Sequence, residues 1–408
     1  MEKITKIMAM ILAVILIAIS AAACQNAGSS TSASEDEPTA TQAVQPSETE
    51  KPTEKPTEAP TEAPTEPAPT THVVKDHANH EVELPYEINR VVVCDIYPLP
   101  SILTVFFDSA DKLVGIAKQS MVAAKNSLLG ELYPDILNAK TDFIDGTTVN
   151  LEELLKLNPD IVFVNAGNQA LYDQVTGAGL KAFGFSAGKW QYDALETLNQ
   201  WILTLDQIFE GNSKYAIVKE YGEKVQKLVR DKLSSVNTVP TTRVMFLFQY
   251  TAEQILVNGN PSFGSWWSEA IGLPNVVTEK TTANSLPTNM EQIYTWNPEI
   301  IFVTNFTTAT AEDIYQNKVG SYDWSSVDAV KNQRVYKMPL GMYRSYTSGV
   351  DSPVTLLWLA KAAYPDLFKD VNITEYVKEY YKTVFDVTLT DAQADSIFNP
   401  DPNAGKMN

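Results

Sequence analysis

The stretch Asn150-Leu-Glu-Glu-Leu-Leu-Lys-Leu-Asn-Pro-Asp-Ile-Val-Phe-Val164 returns without a gap as Asn289-Met-Glu-Gln-Ile-Tyr-Thr-Trp-Asn-Pro-Glu-Ile-Ile-Phe-Val303. Seven of the fifteen positions are identical, among them Glu152/Glu291 and the Asn158-Pro159/Asn297-Pro298 pair. The offset is too long for a solenoid repeat and is the size of a domain, so the chain is read as two lobes of similar build. Asn150 and Asn289 are placed to cap a helix, with Glu153 and Gln292 three residues on completing a capping box. A helix of about two turns then stops at Asn-Pro, because the residue before proline is pushed out of the helical region. The apolar run that follows, Ile161–Val164 or Ile300–Val303, reads as a buried strand of a parallel sheet.

Further strands are expected at Val91–Asp95, Leu113–Ile116 and Lys181–Phe185 in the first lobe. In the second they are expected at Val244–Phe248, Ile255–Val257 and Val335–Met338. Between the lobes, Leu195, Leu198, Ile202, Leu205 and Phe209 mark one helical face, and Val218, Tyr221, Val225 and Leu228 mark the next helix. From Ser352 onward the pattern is again helical. The fold class is α/β, with helices interleaved between parallel strands in each lobe.

Two segments precede the fold. Lys3 and Lys6, the apolar run Ile7–Ile19 and the small residues up to Cys24 read as an export signal, residues 1–24. Ala21-Ala-Ala-Cys24 resembles the bacterial lipobox with Ala where Leu is usual, which makes Cys24 the lipidation site. Residues 25–72 contain no Phe, Trp or Tyr and repeat Pro-Thr-Glu, a composition that has nothing to bury and is expected to stay extended as a tether. The other cysteine, Cys94, lies in an apolar run and reads as a small core residue.

The net charge is −19, of which residues 25–72 carry −7 and residues 73–408 carry −13. An acidic domain is a poor partner for nucleic acid. The only histidines are His72, His77 and His80. Gly184-Phe-Ser-Ala-Gly188 matches a nucleophile elbow after a strand, but its serine needs a histidine base later in the chain, and none follows residue 80. A tethered serine hydrolase is therefore disfavoured, and a surface adhesin finds no β-modules to support it. The three histidines are expected on the solvent face of a hairpin over Val73–Leu84. Neither direct metal ligation nor a resident cofactor is expected.

The residues Asp76–Arg90 and the valines after them resemble the opening hairpin of solute-binding proteins, with Asp, then Val-x-Leu-Pro, then Ile-x-Arg-Val-Val. With Leu113-Val-Gly-Ile116, the repeat and the helix over 190–235, the chain is similar to the helical-hinge class of ABC-transporter receptors for ferric siderophores, haem and cobalamin. Gly341-Met-Tyr-Arg-Ser-Tyr346 and Asp351-Ser-Pro353 resemble a subgroup of iron-compound binders. The resemblance implies two Rossmann-like lobes, 73–211 and 237–408, joined by one long helix over 212–236. It implies a monomer, lipid-anchored on the outer face of the bacterial cytoplasmic membrane, that serves an ABC permease and its ATPase. Glu152 and Glu291 would pair with permease arginines. The cargo would be a metal chelate, a ferric siderophore foremost, with cobalamin, haem or a nickel chelate as alternatives. Its site is expected just past the strands, at Tyr97, Gln119, Asn165, Tyr250, Trp266, Trp267, Asn305, Tyr343 and Arg344. The aromatics would wall a planar ligand and Arg344 would neutralise its charge.

Overall fold

Three consecutive valines, Val91–Val93, all fully buried, form the strand β3 at the heart of the first lobe. A strand buried on both faces has no polar side to offer, which is why this one reads as an unbroken apolar run. The computed structural model describes residues 70–210, 214–236, 241–281 and 285–407. The signal peptide, the lipidation at Cys24 and all of the tether except its last three residues lie outside the described residues.

The chain enters through an antiparallel hairpin, β1 (Thr71–Lys75) and β2 (Glu81–Pro85). After β3 come α1 (Leu99–Phe107), β4 (Leu113–Ile116), α2 (Lys118–Lys125) and α3 (Leu128–Leu132). The short pair β5 (Ile144–Asp145) and β6 (Thr148–Val149) leads to the first copy of the repeat, α4 (Leu151–Lys156) and β7 (Ile161–Asn165). Then follow α5 (Gln169–Gly177), β8 (Ala182–Phe185), α6 (Ala194–Phe209) and α7 (Tyr215–Ser234). The first sheet is wholly parallel in the order β4-β3-β7-β8, with Val93 opposite Phe163 and Phe163 opposite Phe183.

The second lobe contains β9 (Val244–Tyr250), β10 (Ile255–Asn258), α8 (Phe263–Ala270) and β11 (Ser285–Thr288). The second copy of the repeat supplies α9 (Met290–Trp296) and β12 (Ile300–Val303). It is completed by α10 (Ala311–Tyr315), α11 (Asp328–Lys331), β13 (Val335–Lys337) and α12 (Ser352–Ala363). Its sheet runs β11-β10-β9-β12-β13, parallel through β9, β12 and β13 and antiparallel at β10 and β11. The helices α13 (Ile373–Phe385) and α14 (Asp391–Phe398) close the fold. They do not stay with the second lobe: Val377, Tyr380, Tyr381, Phe385 and Ile397 share a buried cluster with Val74, Val91 and Phe163 of the first. The long helix α7 packs on α6, α12 and α13, so a second tie runs beside it.

Both repeat helices are capped as their sequences require. The side chain of Asn150 accepts from the Glu153 N–H and that of Asn289 from the Gln292 N–H. The return half of the expected box is absent at Glu153, whose carboxylate turns to Lys156 at 2.8 Å.

The histidines correct the surface reading. Asp76 is buried and accepts from the Ala78, His80 and Gly184 N–H groups while holding His80 Nδ1 at 2.9 Å. A Cβ on Gly184 would stand 2.8 Å from Asp76 Oδ2, so only glycine lets the hairpin dock on β8. His77 bridges Ser186 N–H and Thr204 Oγ1, and rings of Phe185 and Trp190 meet it edge-on. His72 stacks on Tyr86. The Gly184–Gly188 motif is thus a docking seat for the hairpin, with one ring nitrogen of His77 spent on it and the other on Thr204 of α6.

Candidate ligand site between the lobes

Parallel strands deliver their loops to one edge, and in each lobe that edge faces the other lobe. The lobes touch directly there: Leu128 N–H donates to Gly341 O at 3.1 Å and Ser348 Oγ to Ala194 O at 2.9 Å. Between them lies a cavity of about 210 Å³. From the first lobe come Asp95 and Tyr97 after β3, Gln119 at the start of α2 and Asn165 at the end of β7. The second lobe contributes Phe248, Phe263, Phe306, Tyr343 and Tyr346. Five aromatic rings on one wall, and on the other a few polar groups beside Ile96, Ala187 and Trp201, suit a ligand with an apolar or conjugated body and a few polar atoms.

Asp95, Tyr97 and Asn165 are fixed by their neighbours. Asp95 is buried and accepts from Asn165 N–H at 2.7 Å and from Asn168 Nδ2 at 2.8 Å, which ties the ends of β3 and β7 together. Burial first, then the charge of Asp95, pushes the Tyr97 phenol up to about 12. The loop carrying Tyr343 is set by Asp351. Its carboxylate lies where a Cβ of Gly341 would stand, accepts from Met342 N–H at 2.6 Å and from Tyr381 O–H at 2.6 Å, and burial lifts it to about 6. The pattern from Gly341 to Asp351 in the sequence is therefore a folded loop held to α13.

Beneath the second-lobe wall lie two basic side chains, Arg344 buried and Lys337 half-buried. Lys337 donates to the carbonyls of Thr304, Thr307 and Ala309 at 2.7–2.9 Å. Burial and the nearby Arg344 charge bring it down to about 7. Arg344 is 1% exposed and stacks on Phe306, 4.9 Å from the ring centre. Its Nε and Nη2 donate to Ala404 O at 3.0 and 2.7 Å.

Of the residues expected at the site, Tyr97, Gln119, Asn165 and Tyr343 line the cavity. Tyr250 does not: its hydroxyl donates to Val319 O and accepts from Trp324 Nε1 inside the second lobe. Trp267 is fully buried, with its indole donating to Tyr346 O at 2.8 Å. Asn305 is also buried and spans the Met338 and Pro339 carbonyls. Trp266 lines a separate groove with Trp190, Tyr192 and Arg230, parted from the cavity where Tyr192 meets Phe263 edge-on. Arg344 lies behind the wall and does not reach the lining. Among the lining residues the sequence reading missed are Asp95, Trp201, Phe248, Phe263, Phe306, Tyr346 and Met407; the position of Asp95, two residues past the buried strand β3, was the available signal.

The repeat's acids do not line this cavity. Glu152 has a side chain 80% exposed and pairs with Lys156 at 2.9 Å, and Glu291 is exposed on α9.

Comparison with known proteins decides the family. The family model described as periplasmic binding protein matches residues 102–340, more than half of the chain. The chain belongs to the periplasmic binding protein family. A curated relative, the molybdate-binding protein MolA of Haemophilus influenzae, is 26% identical over 337 residues, covering 77% of this chain and 90% of MolA. Among solved structures, a periplasmic solute-binding protein from Veillonella parvula is 29% identical with a TM-score of 0.69, over 81% of this chain and 97% of that one. MolA bound to molybdate superposes with a TM-score of 0.65 at 22% identity, over 78% of this chain and 99% of that one. The chain is thus a periplasmic binding protein with the two-lobed α/β fold of the solved solute-binding proteins, a non-enzymatic family. Among the described residues, no helix is long and apolar enough to cross a membrane.

Proposed function

We propose that this periplasmic binding protein captures an anionic metal chelate between its lobes, a ferric siderophore foremost, and passes it to the permease. The observation that carries the reading is the buried Arg344 guanidinium behind an aromatic wall that includes Tyr343 and Phe306. A buried guanidinium held by neutral carbonyls gains most from a charged partner, and the rings beside it suit a conjugated chelate. Cys24 lipidation would hold the protein on the outer face of the cytoplasmic membrane, and Glu152 and Glu291 would dock on permease arginines. The Glu152–Lys156 pair is exposed and screened by solvent, so it is easily exchanged for a pair with a partner.

A second reading is favoured by the size of the cavity. About 210 Å³ accommodates a tetrahedral oxyanion, and MolA is described as molybdate-binding. Tryptophan fluorescence and thermal-shift titrations with ferric catecholate and hydroxamate complexes, haem, cobalamin, a nickel chelate and molybdate separate the two. Saturable binding of a ferric complex supports the first reading. Binding of molybdate alone replaces it, and silence across the panel refutes both. For docking, Glu152→Ala with Glu291→Ala should leave cargo affinity intact and abolish uptake; equal loss of both would remove the assigned role.

A further inference from the structure

After α14 the chain turns back toward the cavity. Leu340 N–H donates to Ile397 O at 2.8 Å, which pins the end of that helix to the second lobe. The Asp401 carboxylate then accepts from Asn403 N–H at 2.8 Å and opens a single 3-10 turn over Pro402–Gly405. This turn packs on α2 of the first lobe. On its other side Gly405 lies so close to the backbone of Thr307 and Thr308 that a Cβ would collide with the Thr307 carbonyl. The turn therefore crosses from one lobe to the other.

Its backbone covers Arg344. Ala404 O accepts from Nε and Nη2, and Lys406 O from Nη2 at 3.1 Å. Met407 then lines the cavity beside Tyr97, Gln119 and Tyr343, where Arg344 is not exposed. Arg344 Nη1 reaches no carbonyl or carboxylate among the described residues; the Tyr343 hydroxyl, also buried, is its polar neighbour. A buried cation held by two neutral carbonyls, with no ion pair among the described residues, is a site suited to an anion.

We propose that residues 402–407 form a strap that stands in for cargo: its carbonyls hold the Arg344 guanidinium, and an entering anionic ligand takes that guanidinium over and lifts the strap from the cavity. The inference rests on the anionic-cargo reading above. It also accounts for a cavity of only about 210 Å³ in a receptor proposed to carry a chelate, since the strap occupies part of the space.

The test uses the full chain with two probes, a ferric tris-catecholate complex and molybdate. Hydrogen–deuterium exchange is followed over residues 399–407 with and without each probe, and binding is read in parallel by fluorescence. Binding accompanied by faster exchange of the 403–406 amides is the expected result. In the variant Gly405→Val, whose side chain cannot sit against Thr307, those amides should exchange fast without any probe. The probe that binds should then do so about tenfold more tightly, as follows when a competing conformation is removed. Should that variant misfold, the exchange experiment on the unaltered chain decides alone. Binding with the strap still protected overturns the strap and leaves the cargo reading standing. Failure of both probes to bind either chain overturns the cargo reading and the competition with it.

Discussion

Acid should loosen this protein at one identifiable place. His77 Nδ1 accepts from Ser186 N–H at 3.0 Å, so the proton is on Nε2, which donates to Thr204 Oγ1 at 2.9 Å. Protonation of Nδ1 breaks the first bond and places a charge in a site walled by Phe185 and Trp190 and close to Lys189. Burial, then Lys189, bring the ring down to about 4, against roughly 6.5 in the unfolded chain. The unfolded chain therefore binds more protons between those values, and stability falls as the pH falls through 6.5. The full effect is about 3 kcal/mol, of which about 2 kcal/mol is lost by around pH 5. Asp351 works in the opposite direction, since its folded form, raised to about 6, takes up a proton first. A pH curve of the wild type alone mixes the two. His77→Gln isolates the histidine, because the amide can accept from Ser186 and donate to Thr204 without titrating. Urea unfolding of both proteins around pH 7 and pH 5 should show the wild type losing about 2 kcal/mol more than the variant. An unchanged difference between the two proteins across that range would refute the account of His77.

Phe163→Ala, in a cluster of edge-to-face rings with Phe183 and Phe185, should cost about 3–5 kcal/mol in urea unfolding. Tyr250→Phe should leave cargo affinity unchanged and cost about 1 kcal/mol, since it removes the bonds to Val319 O and from Trp324 Nε1; a fall in affinity would return Tyr250 to the ligand site. Lys337→Met strands three carbonyl acceptors and should lower the melting temperature by an amount equivalent to about 3 kcal/mol or more.

The fold was largely legible because its determinants are local. The Asn caps, the Asn-Pro stops and the valine and isoleucine runs each specify an element within a few residues, and the repeat supplies the second lobe from the first. The site was legible only in part. Tyr343 and Tyr250 both follow strands in sequence, and nothing nearby distinguishes them. The difference is a register shift where β9 meets β10: Leu247 pairs with Val257 and Gln249 with Leu256, leaving Phe248 bulged. The bulge reverses the alternation, so Tyr250 falls on the same side as Met245 and Leu247 while Phe248 faces the cavity. Arg344 was misplaced for a different reason. Its partners are carbonyls some sixty residues on, and no side-chain pattern announces them. The histidines were misread because a tightly bonded hairpin and an exposed one share the same polar alternation.

The return of α13 and α14 to the first lobe also sets an order of events. Val74 and Phe163 share their buried cluster with Tyr380, Tyr381 and Ile397, which emerge some two to three hundred residues later in the chain. The first lobe cannot finish its core while it is being made. Its apolar face stays open until the last helices arrive, so that surface needs protection before the chain is whole, and a chain stopped near residue 350 would leave both lobes incomplete rather than one lobe intact.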